Sequence, residues 1–433
     1  MLGNVFKKLF LLLIVTALLV GTALGVWCAP RTDLFFWESA TPTPTQTAVL
    51  AATTSPEPEA TAEPTPTPVA EPATTEEWID RYIEGMTTSE KLGQLVIFGF
   101  SGTTDITDAF REVDQTYQVG NLVLYGSNIK NSNSDGGFAQ CKKMLTAVKD
   151  RLTTEIPPLV CIDVEGGSVV RFRWNPQPVS ARSLGRRRDA DYATEQFTTI
   201  GAKLLSVGIN LDLAPVLDVS ENPMDTVLET RIISEDASIT AAIGQAIIEG
   251  LHSSGCLASA KHFPGHGGTT EDSHLVTPII EKTLEELQSY DLIPFQTAVE
   301  SGVDAVMIAH ILYPALDETD IASMSAPIMT DLLRKQMGFN GLIISDDFRM
   351  EGMLSRYTLE EASVKFLLAG GDMILCGAES DKQTAIMGAL TAAAESGQLT
   401  PERIDESVRR VLLAKVTLGW DVAAAAAAQT AEN

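Results

Sequence analysis

Eight times between residues 93 and 376 a short apolar run of strand length recurs, and stretches with helical spacing lie between most of the neighbours. The runs cover 93–100, 121–125, 159–163, 210–216, 257–261, 305–310, 342–346 and 373–376. The intervening stretches 189–206, 237–253, 284–301, 327–337 and 359–368 carry apolar residues three or four apart, the period of a helix with one buried face. Strands alternating with helices pair in parallel through right-handed crossovers. Eight such units predict an α/β fold, a (β/α)8 TIM-type barrel over residues 76–420, in preference to an open sheet. The stretch 402–418 reads as a closing amphipathic helix, and the alanine-rich 421–433 as a frayed tail.

A barrel of this type carries its active site at the C-terminal ends of its strands. Asp163 ends the third run, Lys261 ends the fifth with His262 next to it, and His310 ends the sixth. Asp346 ends the seventh and is followed by Asp347. Charged side chains are seldom fully buried unless paired, so repeated strand ends of this kind point to a site and not to packing.

The N-terminal region is of another character. Lys7 and Lys8 precede an almost unbroken apolar run to Trp27, close to the ~20 residues that span a bilayer. Residues 1–28 are expected to be a signal-anchor, or alternatively a cleaved signal peptide, and both readings place the remainder outside the cytoplasm. A lipoprotein reading at Cys28 is weakened by bulky Trp27 before it. Residues 41–75 are Thr, Pro, Ala and Glu, too polar to bury a core, and read as a disordered linker. As a Pro-rich spacer at ~3.1 Å per residue it would reach roughly 100 Å. The formal charge of −26 argues against a nucleic-acid partner, which requires a basic surface. Cys161, Cys256 and Cys376 sit in apolar runs as small core residues, and no cysteine pair has redox or zinc-ligand spacing.

Three of the five histidines fall in one segment, KHFPGHGGTTEDSH, from Lys261 to His274. One chemistry that fits is acetal hydrolysis, which needs a carboxylate at the anomeric centre and a proton donor for the leaving oxygen. Asp346 supplies the first and His274, oriented by Asp272, the second. Lys261, His262, Arg171 and Arg231 would then hold substrate hydroxyl or carbonyl groups. The rival reading is a metal hydrolase, with His262, His266 and His274 joined by Asp163 or Asp346 as zinc ligands. Against it, the histidines lie on a Gly/Pro loop and Lys261 would repel a cation, so no metal and no cofactor is expected.

The same segment resembles the signature loop of the β-N-acetylhexosaminidases of glycoside hydrolase family 3. IDVEGGSVVRF is similar to that family's D-x-E-G-G-x-V-x-R segment, LDLAPVLDV to its fourth-strand motif and IISDDFRMEGM to its nucleophile motif. The resemblance implies a retaining, exo-acting β-N-acetylglucosaminidase that releases terminal N-acetylglucosamine through a covalent glycosyl-enzyme. It implies Asp346 as nucleophile and His274, with Asp272, as the acid/base. It also implies Asp163, Arg171, Arg231, Lys261, His262 and, less directly, His310 as sugar-binding positions. Arg231 departs from the pattern in being followed by Ile232 and Ile233, where the family more often has a small residue and an aromatic. The chain ends soon after the expected barrel, which disfavours a β-glucosidase that takes its acid from a second domain.

Two other functions compete with this one. A phosphorylase would share the intermediate but use phosphate as acceptor, an anion that a histidine acid/base does not repel. A non-catalytic glycan-binding protein would keep the pocket alone. The expected partner is an N-acetylglucosamine-containing glycan, a peptidoglycan fragment or a chito-oligosaccharide, bound by a monomer tethered at the membrane or secreted. His266 has no assigned role.

Overall fold

Helix starts are written locally in this chain. Thr74, Thr87, Thr283 and Thr358 each accept from the backbone amide three residues on, and Glu77, Glu90, Glu286 and Glu361 reach back to the cap amide. Such capping boxes satisfy donors that the first helical turn leaves unpaired. Asp189 and Asp236 cap the long helices Ala190–Val207 and Ala237–Ser254, which end at Gly208 and Gly255 in the left-handed conformation.

The computed structural model describes residues 72, 74–130 and 134–432. The expected membrane segment 1–28 and the linker up to residue 71 lie outside them. Among the described residues no helix is long and apolar enough to cross a membrane.

The strands are β1 (Val96–Gly99), β2 (Asn121–Leu124), β3 (Leu159–Ile162), β4 (Val164–Gly166), β5 (Val169–Val170), β6 (Leu211–Asp212), β7 (Leu257–Phe263), β8 (Ala305–Ile308), β9 (Leu342–Ser345) and β10 (Ile374–Cys376). Eight of them form one parallel sheet in the order β10-β1-β2-β3-β6-β7-β8-β9. A single parallel bridge from Ile344 to Met373 brings its two ends together, so the sheet is a nearly closed barrel of the TIM type. All eight expected runs contribute a strand to it. The remaining two, β4 and β5, pair antiparallel as a small hairpin just past β3.

Several boundaries differ from the sequence reading, each for a local reason. The run 93–100 begins inside the helix Thr88–Gln94, because the Thr87–Glu90 capping box starts a helix ahead of β1. The run 210–216 keeps only Leu211–Asp212 as strand, since Pro215 has no amide to offer a ladder, and rejoins β7 by the bridge from Val216 to Lys261. The helical stretch 284–301 is two helices, Leu284–Ser289 and Leu292–Glu300. Cys161, Cys256 and Cys376 are buried free thiols in or beside strands.

The alanine-rich end corrects the expectation of a frayed tail. Val422–Glu432 is a helix, with Val422 and Ala426 buried, and it packs on the helix Thr75–Gly85. Alanine has the highest helix propensity, and a neighbouring face on which to pack supplies what a short isolated helix lacks. Deleting residues 421–433 should therefore lower the stability of the protein by about 2 kcal/mol, the scale of one large apolar side chain uncovered. An unchanged urea midpoint in the truncated chain would show the segment to be dispensable.

Candidate active site

Lys261 is the centre of the site. It lies near the end of β7, 2% exposed, and its Nζ is 2.7 Å from both Asp163 Oδ1 and Glu165 Oε1. Asp163 directly follows β3 and Glu165 lies in β4, so the hairpin places two carboxylates on either side of the same ammonium. Each carboxylate has a second cation. Arg171 Nη2 donates to Asp163 Oδ2 at 2.8 Å, and Arg231 clasps Glu165 in a fork, Nε to Oε2 at 2.8 Å and Nη2 to Oε1 at 2.9 Å. Burial alone pushes both carboxyls up. The charge of Lys261, joined by Arg171 on Asp163 and Arg231 on Glu165, outweighs burial and holds both below their ordinary range.

His262 follows Lys261 through a cis peptide bond. Its Nδ1 is 2.7 Å from Oδ2 of Asp218, a fully buried carboxylate, and its Nε2 is 3.4 Å from Arg231 Nη2. Burial raises the Asp218 carboxyl, but the charge and hydrogen bond of His262 bring it below its ordinary value. Asp218 therefore stays ionised and fixes the orientation of the ring.

Asp163, Glu165, Arg171, Arg231, Lys261 and His262 line a cavity of about 420 Å³ at the mouth of the barrel. Asp346, directly after β9, lines it too, as do Asp347, Arg349, Tyr125 and His274. Burial raises the Asp346 carboxyl, while the charges of His262 and His310, the Asp347 amide and His274 lower it, and the net shift is downward. Asp346 is thus an ionised carboxylate in a sheltered place. Asp347 is occupied differently: it accepts from Tyr125 Oη at 2.7 Å and holds the Arg349 guanidinium at 2.6 Å.

His274 stands at the rim, its side chain 67% exposed. Asp272 Oδ1 accepts from its backbone amide and lies within hydrogen-bond distance of its Nδ1, both at 2.9 Å. The pairing engages Nδ1 and leaves Nε2 as the nitrogen for exchange with a substrate.

The structure thus brings Asp163, Arg171, Arg231, Lys261, His262, His274 and Asp346 to one cavity, with Asp272 behind His274. It does not bring His310 there. That side chain is fully buried and is not among the residues lining the cavity; its Nδ1 is 2.7 Å from Ser323 Oγ, and burial lowers its pKa. The alternative zinc set is also dispersed, with His262 held by Asp218, His266 by Ser273 and His274 by Asp272. Among the described residues no group of three ligand-type side chains is placed to hold a metal ion.

Sequence reasoning passed over Glu165 and Asp218. Both stand inside motifs already singled out, IDVEGGSVVRF and LDLAPVLDV. The available signal was an acidic residue in an otherwise apolar, strand-like stretch, which demands a buried partner.

Comparison with known proteins identifies the family and supports the fold. Residues 87–414 match the profile of the glycosyl hydrolase family 3 N terminal domain. Beta-hexosaminidase A of Pseudoalteromonas piscicida is 28% identical over 80% of this chain and 64% of its own length. A glycoside hydrolase family 3 β-N-acetylglucosaminidase from Paenibacillus sp. str. FPU-7 superposes with a TM-score of 0.71 at 35% identity, over 77% of this chain and 63% of that one. The β-N-acetylhexosaminidase of Beutenbergia cavernae superposes with a TM-score of 0.70 at 28% identity, over 76% of this chain and 99% of that one. The chain thus spans a little under two thirds of the first two relatives and nearly all of the third.

The charge cluster predicts a stability effect with a definite pH dependence. Lys261→Met removes the cation shared by two buried carboxylates and should cost about 3–5 kcal/mol at neutral pH, as measured by urea unfolding. Both carboxyls are held below their unfolded values, so their contribution is complete above pH about 4 to 4.5 and is lost as pH falls toward their folded values. The gap between wild type and Lys261→Met should therefore narrow as the pH falls below about 4. A constant gap across that range would contradict the pairing.

Proposed function

Because the chain belongs to glycosyl hydrolase family 3, we propose that it is a retaining, exo-acting β-N-acetylglucosaminidase that removes terminal N-acetylglucosamine from a glycan. The observation that carries this reading is the placement of an ionised Asp346 and of His274, paired with Asp272, on the cavity that the charge cluster also lines. A cavity of about 420 Å³ suits one sugar ring with its substituents and leaves the rest of the glycan outside, as exo-cleavage requires.

Asp163, Arg171, Arg231, Lys261 and His262 supply charged acceptors and donors to the hydroxyl groups of that ring. Their geometry is set before the sugar arrives, so little ordering cost falls on binding. Asp346 attacks the anomeric carbon as the bond to the leaving oxygen breaks, and His274 delivers its Nε2 proton to that oxygen. In the second half, water gives a proton to His274 Nε2 and attacks the same carbon, and Asp346 is released as a carboxylate. Asp272 holds the Nδ1 side throughout and stabilises the imidazolium of the first step.

The reading extends to place and substrate. Residues 1–28 and the linker would hold this domain outside the cytoplasm at the membrane, or release it if the segment is cleaved. The glycan would then be a peptidoglycan fragment or an external chito-oligosaccharide.

Asp346→Asn should lower turnover of an aryl β-N-acetylglucosaminide by at least about a thousandfold while the sugar still binds. Proton NMR of the first product formed by wild type should show the β anomer. Early appearance of the α anomer, or a variant within about tenfold of wild type, would overturn the retaining assignment to Asp346. Turnover that rises steeply with added phosphate and yields a sugar phosphate would replace hydrolysis by phosphorolysis.

A further inference from the structure

The segment from Lys261 to His274 has a middle that neither sugar binding nor proton transfer uses. His266 lies there, 3% exposed, in the short turn His266–Gly268. Its backbone amide donates to Asp218 Oδ1 at 2.6 Å, on the carboxylate whose other oxygen is 2.7 Å from His262 Nδ1. Its Nε2 is 2.9 Å from the hydroxyl of Ser273, itself buried and directly before His274 in the chain. The two imidazoles of His262 and His266 meet edge to face, 5.9 Å between centres.

The rest of the turn admits little freedom. A Cβ on Gly267 would stand 1.9 Å from the carbonyl oxygen of Val219, the residue after Asp218, so glycine alone fits that approach. Gly265, at a φ of 137°, lies against Asp291, and its carbonyl accepts from Tyr313 Oη at 2.8 Å. On the far side the carbonyl of Ser273 accepts from the Gly352 amide at 2.9 Å. One end of the turn is therefore anchored in the barrel wall and the other on the segment after Asp346. The His266–Ser273 bond crosses between them.

We propose that His266 is a positioning residue for proton transfer, linking the sugar-binding His262 to the proton-bearing His274 through Asp218 on one side and Ser273 on the other. The proposal rests on the reading of His274 as the acid/base.

The chemistry of the ring fits this task. His266 Nδ1 is buried and meets no hydrogen-bond partner among the described residues, and an N–H left in that state is more costly than a lone pair. The proton is therefore assigned to Nε2, which donates to Ser273 Oγ. Burial, with the neighbouring His262 acting in the same sense and Asp218 against it, holds the ring neutral. A neutral ring with one donor, aimed at the residue before His274, sets position and does not itself exchange protons with substrate.

The test separates positioning from plain structural support by the leaving group. In the full chain, His266→Gln, His266→Leu and Ser273→Ala are compared with wild type on aryl β-N-acetylglucosaminides whose phenols range from strongly to weakly acidic. General acid catalysis contributes about 10²–10⁴-fold where the leaving oxygen needs a proton and little where it does not. His266→Leu and Ser273→Ala should therefore lose about a hundredfold on the weakly acidic phenol and stay within about threefold on the strongly acidic one, at nearly constant KM. His266→Gln keeps a donor at that position and should regain part of the loss. Ser273→Ala removes the same bond by trimming a single hydroxyl and leaves the His266 ring in place, so it answers the question even if His266→Leu fails to fold. The double variant His266→Leu with Ser273→Ala should be no worse than the single ones, since both delete one interaction. Equal losses on all phenols, or no loss on the weakest acid, would overturn the proposal. A wild-type protein that binds these glycosides and cleaves none would instead overturn the glycosidase reading itself.

Discussion

A single buried ammonium organises the mouth of this barrel. Taking Lys261 out of water costs several kcal/mol unless anions of good geometry surround it. Asp163 and Glu165 meet that demand at 2.7 Å each, and each then requires its own cation to remain ionised in the same dry place. Arg171 and Arg231 answer, drawn from the segment after β5 and from the loop between β6 and the helix Ala237–Ser254. Charge alternation thus dictates the backbone of several separate segments. The hairpin β4–β5 holds Glu165 over β7, and the short turn Glu229–Arg231 delivers its arginine back toward the barrel axis. A wall built this way is rigid because moving any member leaves another charge uncompensated.

The acid/base pair follows another logic. His274 is largely open to water and Asp272 partly so, and their mutual bond is local in sequence. Such a pair holds its internal geometry wherever the loop goes, so the question is how it finds the cavity. Asp218 joins the two regimes, since one buried carboxylate accepts from the fixed His262 and from the amide of His266. The division suits a reaction in two steps. Sugar recognition gains from a preformed surface, while the proton has to meet first a leaving oxygen and then a water at the same spot.

The parallel barrel was legible because its strands are buried on both faces and read as continuous apolar runs, four of them closed by an ionisable residue. Asp163, Lys261, His262 and Asp346 stood out in this way. The edges of the elements were harder. The helix Thr88–Gln94 overlaps the start of the run that continues into β1, with only Leu95 between the two elements, and its threonine cap at Thr87 is the local sign that a helix precedes the strand. Glu165 and Asp218 were hidden for a different reason. Their partners, Lys261 and His262, lie 96 and 44 residues further along the chain, and pairing over such distances leaves no local pattern. A strand-end histidine has the same sequence signature whether its ring lines the cavity or, as with His310, is buried against Ser323.

The hoop of strands is mechanically uneven. β8 and β9 are laced by a continuous register from Ala305–Leu342 to Ile308–Ser345, whereas β9 and β10 meet at the single bridge from Ile344 to Met373. Backbone and side chains both close that seam: the Met373 amide donates to the Ile343 carbonyl at 3.1 Å and the Ser345 amide to the Met373 carbonyl at 3.0 Å, while Ser345 Oγ takes the Leu375 amide and Asp372 Oδ2 the Ile343 amide, both at 2.9 Å. The strand that presents Asp346 is therefore bonded on both flanks, by a regular ladder to β8 and by irregular backbone and side-chain bonds to β10, so the carboxylate is tied to both neighbours in the hoop.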